Sequence, residues 1–210
     1  HDPQLRIGLL RRAAEVAEGQ LSRPEEAADY CRRLLEEAPD DGPALDALEH
    51  LLRQTGDHAQ VIGVLEKRLA LADEDGEVSQ LLRSIAGLQE NELADADAAT
   101  GTWQRSLEES PGDPAAVAAL VRLLTAAGRW VELVAIFQAE ADPLDDPNDK
   151  RKALERIAEV WGDKLEDWDK AIGLFRQLGI DSNYGEKALV DVAVCLFRKG
   201  QATPALAALE

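Results

Sequence analysis

The chain has 210 residues, 45% of them apolar and 4% aromatic, which allows one sizeable core or two small ones. Ala and Leu dominate and no low-complexity tract occurs, arguing for a folded, helix-rich protein against a disordered acidic one. With 41 acidic against 23 basic residues the formal net charge is −18, so the average surface repels phosphate, and neither nucleic acid nor an anionic membrane is expected as a partner.

No apolar run approaches the roughly 18 to 20 residues needed to cross a bilayer, so membrane insertion is not expected, and the start, "HDPQLRIG", is not a signal peptide. A chain that begins with His and contains no methionine is expected to be a fragment of a longer protein; the sequence does not fix its compartment, the cytoplasm being the favoured one. Cys31 and Cys195 are too few for a disulfide framework and are not spaced as a metal pair. They read as lone buried thiols.

In chain order, Leu9, Ala13, Val16, Ala17 and Gln20 follow helical spacing and predict a first helix. A break at Ser22-Arg23-Pro24 follows, and Ala27, Cys31, Leu34 and Leu35 mark a second amphipathic helix with Pro24 near its start. The turn "APDDGPA", residues 38 to 44, stops that helix and starts the next, because proline cannot continue one but can open another. The third helix carries Ala44, Leu48, Leu51 and Leu52 and stops at Gly56, where a residue of positive φ commonly closes a helix. Val61, Val64, Leu65 and Leu69 predict the fourth.

The same order then recurs at a period of 72 residues, without a gap, to give three tandem copies. Seven columns keep one residue in all three: Leu10/Leu82/Leu154, Ala14/Ala86/Ala158, Leu21/Leu93/Leu165, Ala27/Ala99/Ala171, Ala44/Ala116/Ala188, Leu52/Leu124/Leu196 and Gly56/Gly128/Gly200. These are core and turn positions. The polar boundaries "ADEDGE" and "DPLDDPND" are too short for flexible linkers, so units 5–76, 77–148 and 149–210, the last truncated, are expected to stack as one domain.

The alignment also decides how to read the aromatic-rich stretch "RIAEVWGDKLEDWDKAIGLF", residues 156 to 175. Phe175 shares its column with Trp103 and Cys31, as expected of a packing position. Trp161 falls with Ala17 and Gln89, and Trp168 with Pro24 and Ala96; these columns are not apolar throughout, so packing is favoured but ligand stacking stays open.

The hairpins resemble tetratricopeptide repeats. Ala14, Ala27 and Pro39 stand where that family keeps small residues at the helix crossing and a terminal proline, Ala86, Ala99 and Pro111 repeat the pattern, and Gly128 and Trp130 match its turn glycine and following aromatic. The resemblance covers roughly residues 5 to 210 as six hairpins, and it implies an all-α, right-handed α-solenoid of about twelve helices. The fifth hairpin departs from the pattern, ending at "GIDSN" without its proline.

Enzyme signatures are absent: the chain has no Gly-rich phosphate loop, no G-x-S-x-G elbow and no H-E-x-x-H. Residues 71 to 82 fail as a calcium loop, because with Gly76 sixth the first and twelfth positions are Leu71 and Leu82. No catalytic activity, cofactor or metal is therefore expected. The resemblance instead implies a concave groove lined by the first helix of each hairpin, with Arg12, His50, Arg53, Asn91, Arg122, Arg156, Lys164, Lys187, Phe197 and Arg198 among the residues facing it.

Thirty such positions carry seven Lys or Arg and three acidic residues, an inversion of the chain's overall balance. The expected function is a scaffold that grips a peptide or protein segment, acidic or C-terminal, through Arg–carboxylate pairs. The alternative for the cations is ordinary surface pairing with neighbouring acidic helices. For the protein, the alternatives are a self-associating segment of a longer array, since "TPALAALE" offers no polar cap, and a regulatory module of an attached catalytic domain.

Overall fold

The computed structural model describes residues 3–180, 185–201, 204 and 205, the side chains of 178–180 and 185–188 excepted. Among the described residues the fold is all-α, with eleven helices: α1 (Pro3–Gly19), α2 (Pro24–Glu37), α3 (Gly42–Thr55), α4 (His58–Leu71), α5 (Asp75–Asn91), α6 (Ala96–Glu109), α7 (Pro114–Ala127), α8 (Trp130–Ala141), α9 (Pro147–Asp163), α10 (Trp168–Ile180) and α11 (Gly185–Arg198). Residues 204 and 205 are also helical. The remainder of the expected twelfth helix lies outside the described residues.

The 72-residue period is written into the backbone. α3 ends on Gly56 at φ 74°, where the Asp57 N–H reaches the Leu52 carbonyl at 3.1 Å and the Gly56 N–H reaches Arg53 at 3.4 Å. The paired bonds satisfy carbonyls the helix would otherwise leave orphaned. Gly128 (φ 68°) and Gly200 (φ 81°) repeat the conformation, with Arg129 bonded to Leu124 and Gln201 to Leu196, both at 2.9 Å.

A second left-handed column carries no glycine. Ser22, Ala94 and Glu166 sit at φ 53°, 52° and 54°, in the turns from α1 to α2, α5 to α6 and α9 to α10. Each turn is closed alike, by Leu21, Leu93 and Leu165 N–H groups on Val16, Leu88 and Val160 carbonyls at 3.1 Å. An L side chain in this region costs about 1 kcal/mol or more relative to glycine. Helix starts add a third device: Asp41, Asp57, Asp95 and Asp146 each accept a hydrogen bond from a backbone N–H in the first turn that follows.

The chain divides into two compact units, residues 1–116 and 117–210, with the division in the first turn of α7. In the first, α1 packs on α2, α2 on α3, α3 on α4, α4 on α5 and α5 on α6; in the second, α8 packs on α9, α9 on α10 and α10 on α11. Small residues allow the crossings. Ala27, Ala99 and Ala171 have no exposed surface, nor do Ala86 and Ala158, and Ala14 is buried. Around them, Leu34, Leu45, Leu51, Val61 and Leu65 fill the core of the first unit, while Ile172, Phe175, Val192 and Leu196 fill that of the second.

The stripe of α1 matches the expected one in part. Ala17 is buried, as is Ala14 of the repeat column, with Ile7 and Leu10 packed against the same core, whereas Leu9 is exposed and Gln20 lies beyond the helix. A helix with apolar residues on adjacent faces offers two stripes, and the approach of α2 selects the one whose alanines permit close packing.

Two stability effects follow. Ala94→Gly relieves the left-handed turn and is expected to raise unfolding stability by about 1 kcal/mol, while Gly128→Ala lowers it by about as much. Ser106, fully buried with its Oγ unbonded and aligned with Leu34, is expected to gain about 1 kcal/mol on replacement by Ala. Urea unfolding of each variant checks the signs.

Candidate functional site

Helices α1, α2 and α3 enclose an open cavity of about 170 Å³. In the second unit α9, α10 and α11 enclose another, of about 220 Å³. Their linings occupy the same repeat columns, 144 residues apart: Arg11 and Glu155, Ala14 and Ala158, Glu15 and Glu159, Glu18 and Gly162, Cys31 and Phe175, Leu51 and Cys195. The cavity is thus a product of the hairpin geometry, with walls that the individual copies vary.

The second cavity owes part of its shape to a paired exchange. A Cβ placed on Gly162 would come within 3.0 Å of the Trp168 ring. In the other copies the glycine column holds Glu18 and Glu90, and the tryptophan column holds Pro24 and Ala96. The bulky ring at the start of α10 therefore requires the missing side chain on α9.

Three further aromatics of this unit are held by its own cations. Lys170 Nζ stands 3.7 Å from the centre of the Trp161 ring, Lys164 Nζ 5.3 Å from Trp130, and the Arg156 guanidinium 4.0 Å from Phe137. Trp103 and Phe175 are buried, as is Cys31 in their column. The stretch 156–175 is thereby occupied with packing and cation–π contacts of about 0.5 to 1 kcal/mol each.

The predicted site residues are placed as follows. In the first unit Arg12 pairs with Glu15 at 2.9 Å, Arg53 donates to Glu49 at 2.9 Å, and Asn91 donates to the Gly87 carbonyl at 2.9 Å. His50 accepts from the Gln54 amide at 2.8 Å and stands 3.8 Å from Glu18. In the second unit Arg122 is exposed on α7, Arg156 lies 3.9 Å from Glu140, Phe197 is 70% exposed, and Arg198 is bonded to Asp163 and stacked 5.6 Å from Trp168. The Lys187 side chain lies outside the described residues.

Of these, Arg198 alone lines either cavity. Arg11, the neighbour of Arg12, lines the first and pairs with Asp41. Asp163, one of the three acidic groove positions expected from the sequence, lines the second cavity with Glu155, Glu159 and Asp191 against Arg198, and Glu15 and Glu18 line the first; of these carboxylates the sequence singles out Asp163 alone. The cationic inversion drawn from thirty positions does not extend to the cavity walls. Aligning the repeat columns around Ala14 and Ala158, instead of counting charges over whole helices, would have located them.

Both thiols are cavity-lining. Burial, with Glu18 next in effect, pushes the Cys31 thiol up from its ordinary value, and burial with Asp191 does the same to Cys195. Protonated thiols are poor nucleophiles. Among the described residues no group of three or more His, Cys, Asp or Glu side chains is arranged to hold a metal ion, and no helix is long and apolar enough to cross a membrane.

Consecutive helical hairpins crossing on alanine define an all-α helical-repeat protein. The tetratricopeptide repeat family model matches residues 44–79, which span α3, α4 and the start of α5. No curated protein matches the chain. Among solved structures, that of Naa15/Naa10 bound to HypK-THB matches 97% of this chain over 30% of its own, with TM-score 0.58 and 14% identity. A tetratricopeptide repeat protein from Parabacteroides merdae matches 97% of this chain over 77% of its own, with TM-score 0.43 and 14% identity. YrrB, described as a TPR protein with an unusual peptide-binding site, matches 91% over 90%, with TM-score 0.41 and 18% identity. The stretch 44–79 is thus similar to a tetratricopeptide repeat, and the chain has the fold of a helical-repeat protein.

The Gly162 and Trp168 exchange makes a coupled pair. Gly162→Ala is expected to destabilise the protein, because about 1 kcal/mol of helix propensity is outweighed by overpacking of about 1 to 3 kcal/mol. In a Trp168→Ala background the same substitution is expected to stabilise, so a double-mutant cycle by urea unfolding should show coupling of about 1 kcal/mol or more.

Proposed function

We propose that the chain is a non-catalytic scaffold that holds a peptide or protein segment against the helices opening its hairpins. The observation that carries this reading is the recurrence of one cavity in the same columns of both units, lined by different charges. A constant recess with variable walls is a means of recognising side chains without chemistry at the recess. The unbroken 72-residue period supports treating the whole chain as one repeat array.

An acidic or C-terminal partner segment, gripped by the groove cations, would have to compete with Glu15, Glu49 and Asp163 for Arg12, Arg53 and Arg198. Such a segment is expected to lose at least tenfold in affinity on Arg122→Glu with Arg156→Glu, and unchanged binding sets that version aside. Self-association is the second reading, favoured by the exposed Val190, Val194 and Phe197 on α11. Light scattering over a dilution series decides it, a strict monomer counting against it.

The two cysteines supply the test of the scaffold reading, one in each cavity. Peptides selected from a random display library on the intact chain are expected to slow alkylation of Cys31, Cys195 or both. Bound peptides that leave both rates unchanged would place binding elsewhere and end the cavity assignment.

A further inference from the structure

The last copy of the repeat departs from the other two in two ways, and the departures adjoin. On α11, Val190, Val194 and Phe197 fall within one face and are 48%, 46% and 70% exposed. In the first copy these columns hold Asp46, His50 and Arg53; in the second they hold Ala118, Arg122 and Thr125. A face that is polar or carries only a small apolar residue in the other copies has thus become an apolar one, ending in the most exposed of the described large hydrophobic side chains.

The second departure is on α9. Glu155, Glu159 and Asp163 follow at i, i+4 and i+8, where the first copy has Arg11, Glu15 and Gly19 and the second has Arg83, Gly87 and Asn91. Like charges at this spacing repel one another. Asp191 joins them from α11, so the cavity is lined by four carboxylates and one cation, Arg198. Arg198 is held by Asp163, Arg151 lies 3.8 Å from Glu155, and Glu159 and Asp191 also have interactions within the chain, so an incoming cation shares carboxylates that are already engaged. Val194 belongs to both features, at the centre of the apolar face and in the cavity wall.

Arg198 also shows what the cavity accommodates. Its guanidinium is bonded to a wall carboxylate and stacked toward the Trp168 ring at 5.6 Å, the pairing that suits an arginine or lysine from another chain. Charge complementarity then selects the occupant. A surface of net charge −18 attracts cationic segments and repels acidic ones at long range, and the local wall has the same sign.

We infer that the face of α11, with the cavity beside it, docks a basic amphipathic segment of a partner protein. An apolar side chain of that segment covers Val194 and Phe197, and a neighbouring Lys or Arg lies against the acidic wall of the cavity. The inference rests on the scaffold reading and names the partner's chemistry for one of its two cavities.

Three synthetic peptides of equal length serve as probes: a Leu/Lys amphipathic helix former, its Leu/Glu counterpart, and a Ser/Lys peptide of the same charge as the first. Fluorescence anisotropy at about 0.15 M salt, where long-range attraction is largely screened, reads their affinity for the full chain. The Leu/Lys peptide is expected to bind at least tenfold more tightly than either control. That affinity should fall at least tenfold on Phe197→Asp, and again on Glu159→Gln with Asp191→Asn, both exposed or rim changes whose folding is checked by circular dichroism. Slower alkylation of Cys195, with Cys31 unaffected, is expected in the complex.

Several results would overturn the inference. Equal affinity for the Ser/Lys peptide would mean charge attraction without docking, and insensitivity to both variants would place the peptide elsewhere. If a dilution series instead shows a dimer that Phe197→Asp dissolves, the apolar face is an interface between copies of this chain. In each of these cases library-selected peptides that protect Cys31 would leave the scaffold reading standing, whereas protection of neither thiol by any bound peptide ends the cavity assignment as well.

Discussion

The closeness of the helix crossings is the constraint on which the rest depends. In each copy an alanine of the opening helix (Ala14, Ala86, Ala158) and one of its partner (Ala27, Ala99, Ala171) are buried, the second of each pair completely. A larger side chain at either place would drive the helices apart by more than the core could refill, because interiors pack at near-crystalline density and leave little room to adjust. With the crossing set, the turn at the end of each hairpin must reverse the chain over very few residues. The left-handed residues at Gly56, Gly128 and Gly200, and at Ser22, Ala94 and Glu166, are the backbone's answer to that demand.

Columns away from the crossings are free to exchange bulk, provided neighbours compensate. Gly162 and Trp168 show the exchange most directly, since the ring occupies the space a Cβ would need. Cys31, Trp103 and Phe175 share one buried column although their volumes differ widely. The cavities lie where such exchanges leave a recess between two opening helices, above the Cys31 or Phe175 column. Recess and repeat therefore have one origin, and the same hairpin can present a different wall in each copy without altering its own support.

Much of this was legible in the sequence because it is carried by periodicity and by glycine and proline. The period of 72, the stops at Gly56, Gly128 and Gly200, and the packing character of the Phe175 column can be read from residue type alone. The stripe of α1 was legible only in part: the repeat column marks Leu10 as a core position, but Leu9 follows helical spacing equally well, and only the approach of α2 leaves it outside. Nor do Ser22, Ala94 and Glu166 advertise their positive φ, since three residue types with no shared preference for it occupy the column. The site was least legible of all: Arg11 and Arg12 are adjacent and alike, yet helical geometry puts Arg11 on a cavity and turns Arg12 toward Glu15. A charge count over helix faces averages across such differences.

Charge and fold are separable in this molecule. Many of its ion pairs join exposed residues three or four apart on one helix, such as Arg12 with Glu15, Arg23 with Glu26 and Lys152 with Asp149, and pairs of that kind contribute between nothing and about 1 kcal/mol. A net charge of −18 adds self-repulsion that weakens the compact state. Stability must come from apolar stacking between neighbouring helices, which involves almost none of the carboxylates lining the cavities. Those carboxylates can then change from copy to copy at small cost to folding, and a repeat protein of this design can acquire a new charge specificity in one hairpin while the others keep theirs. The last copy, with its apolar α11 face beside an acidic wall, has the form such a local change would take.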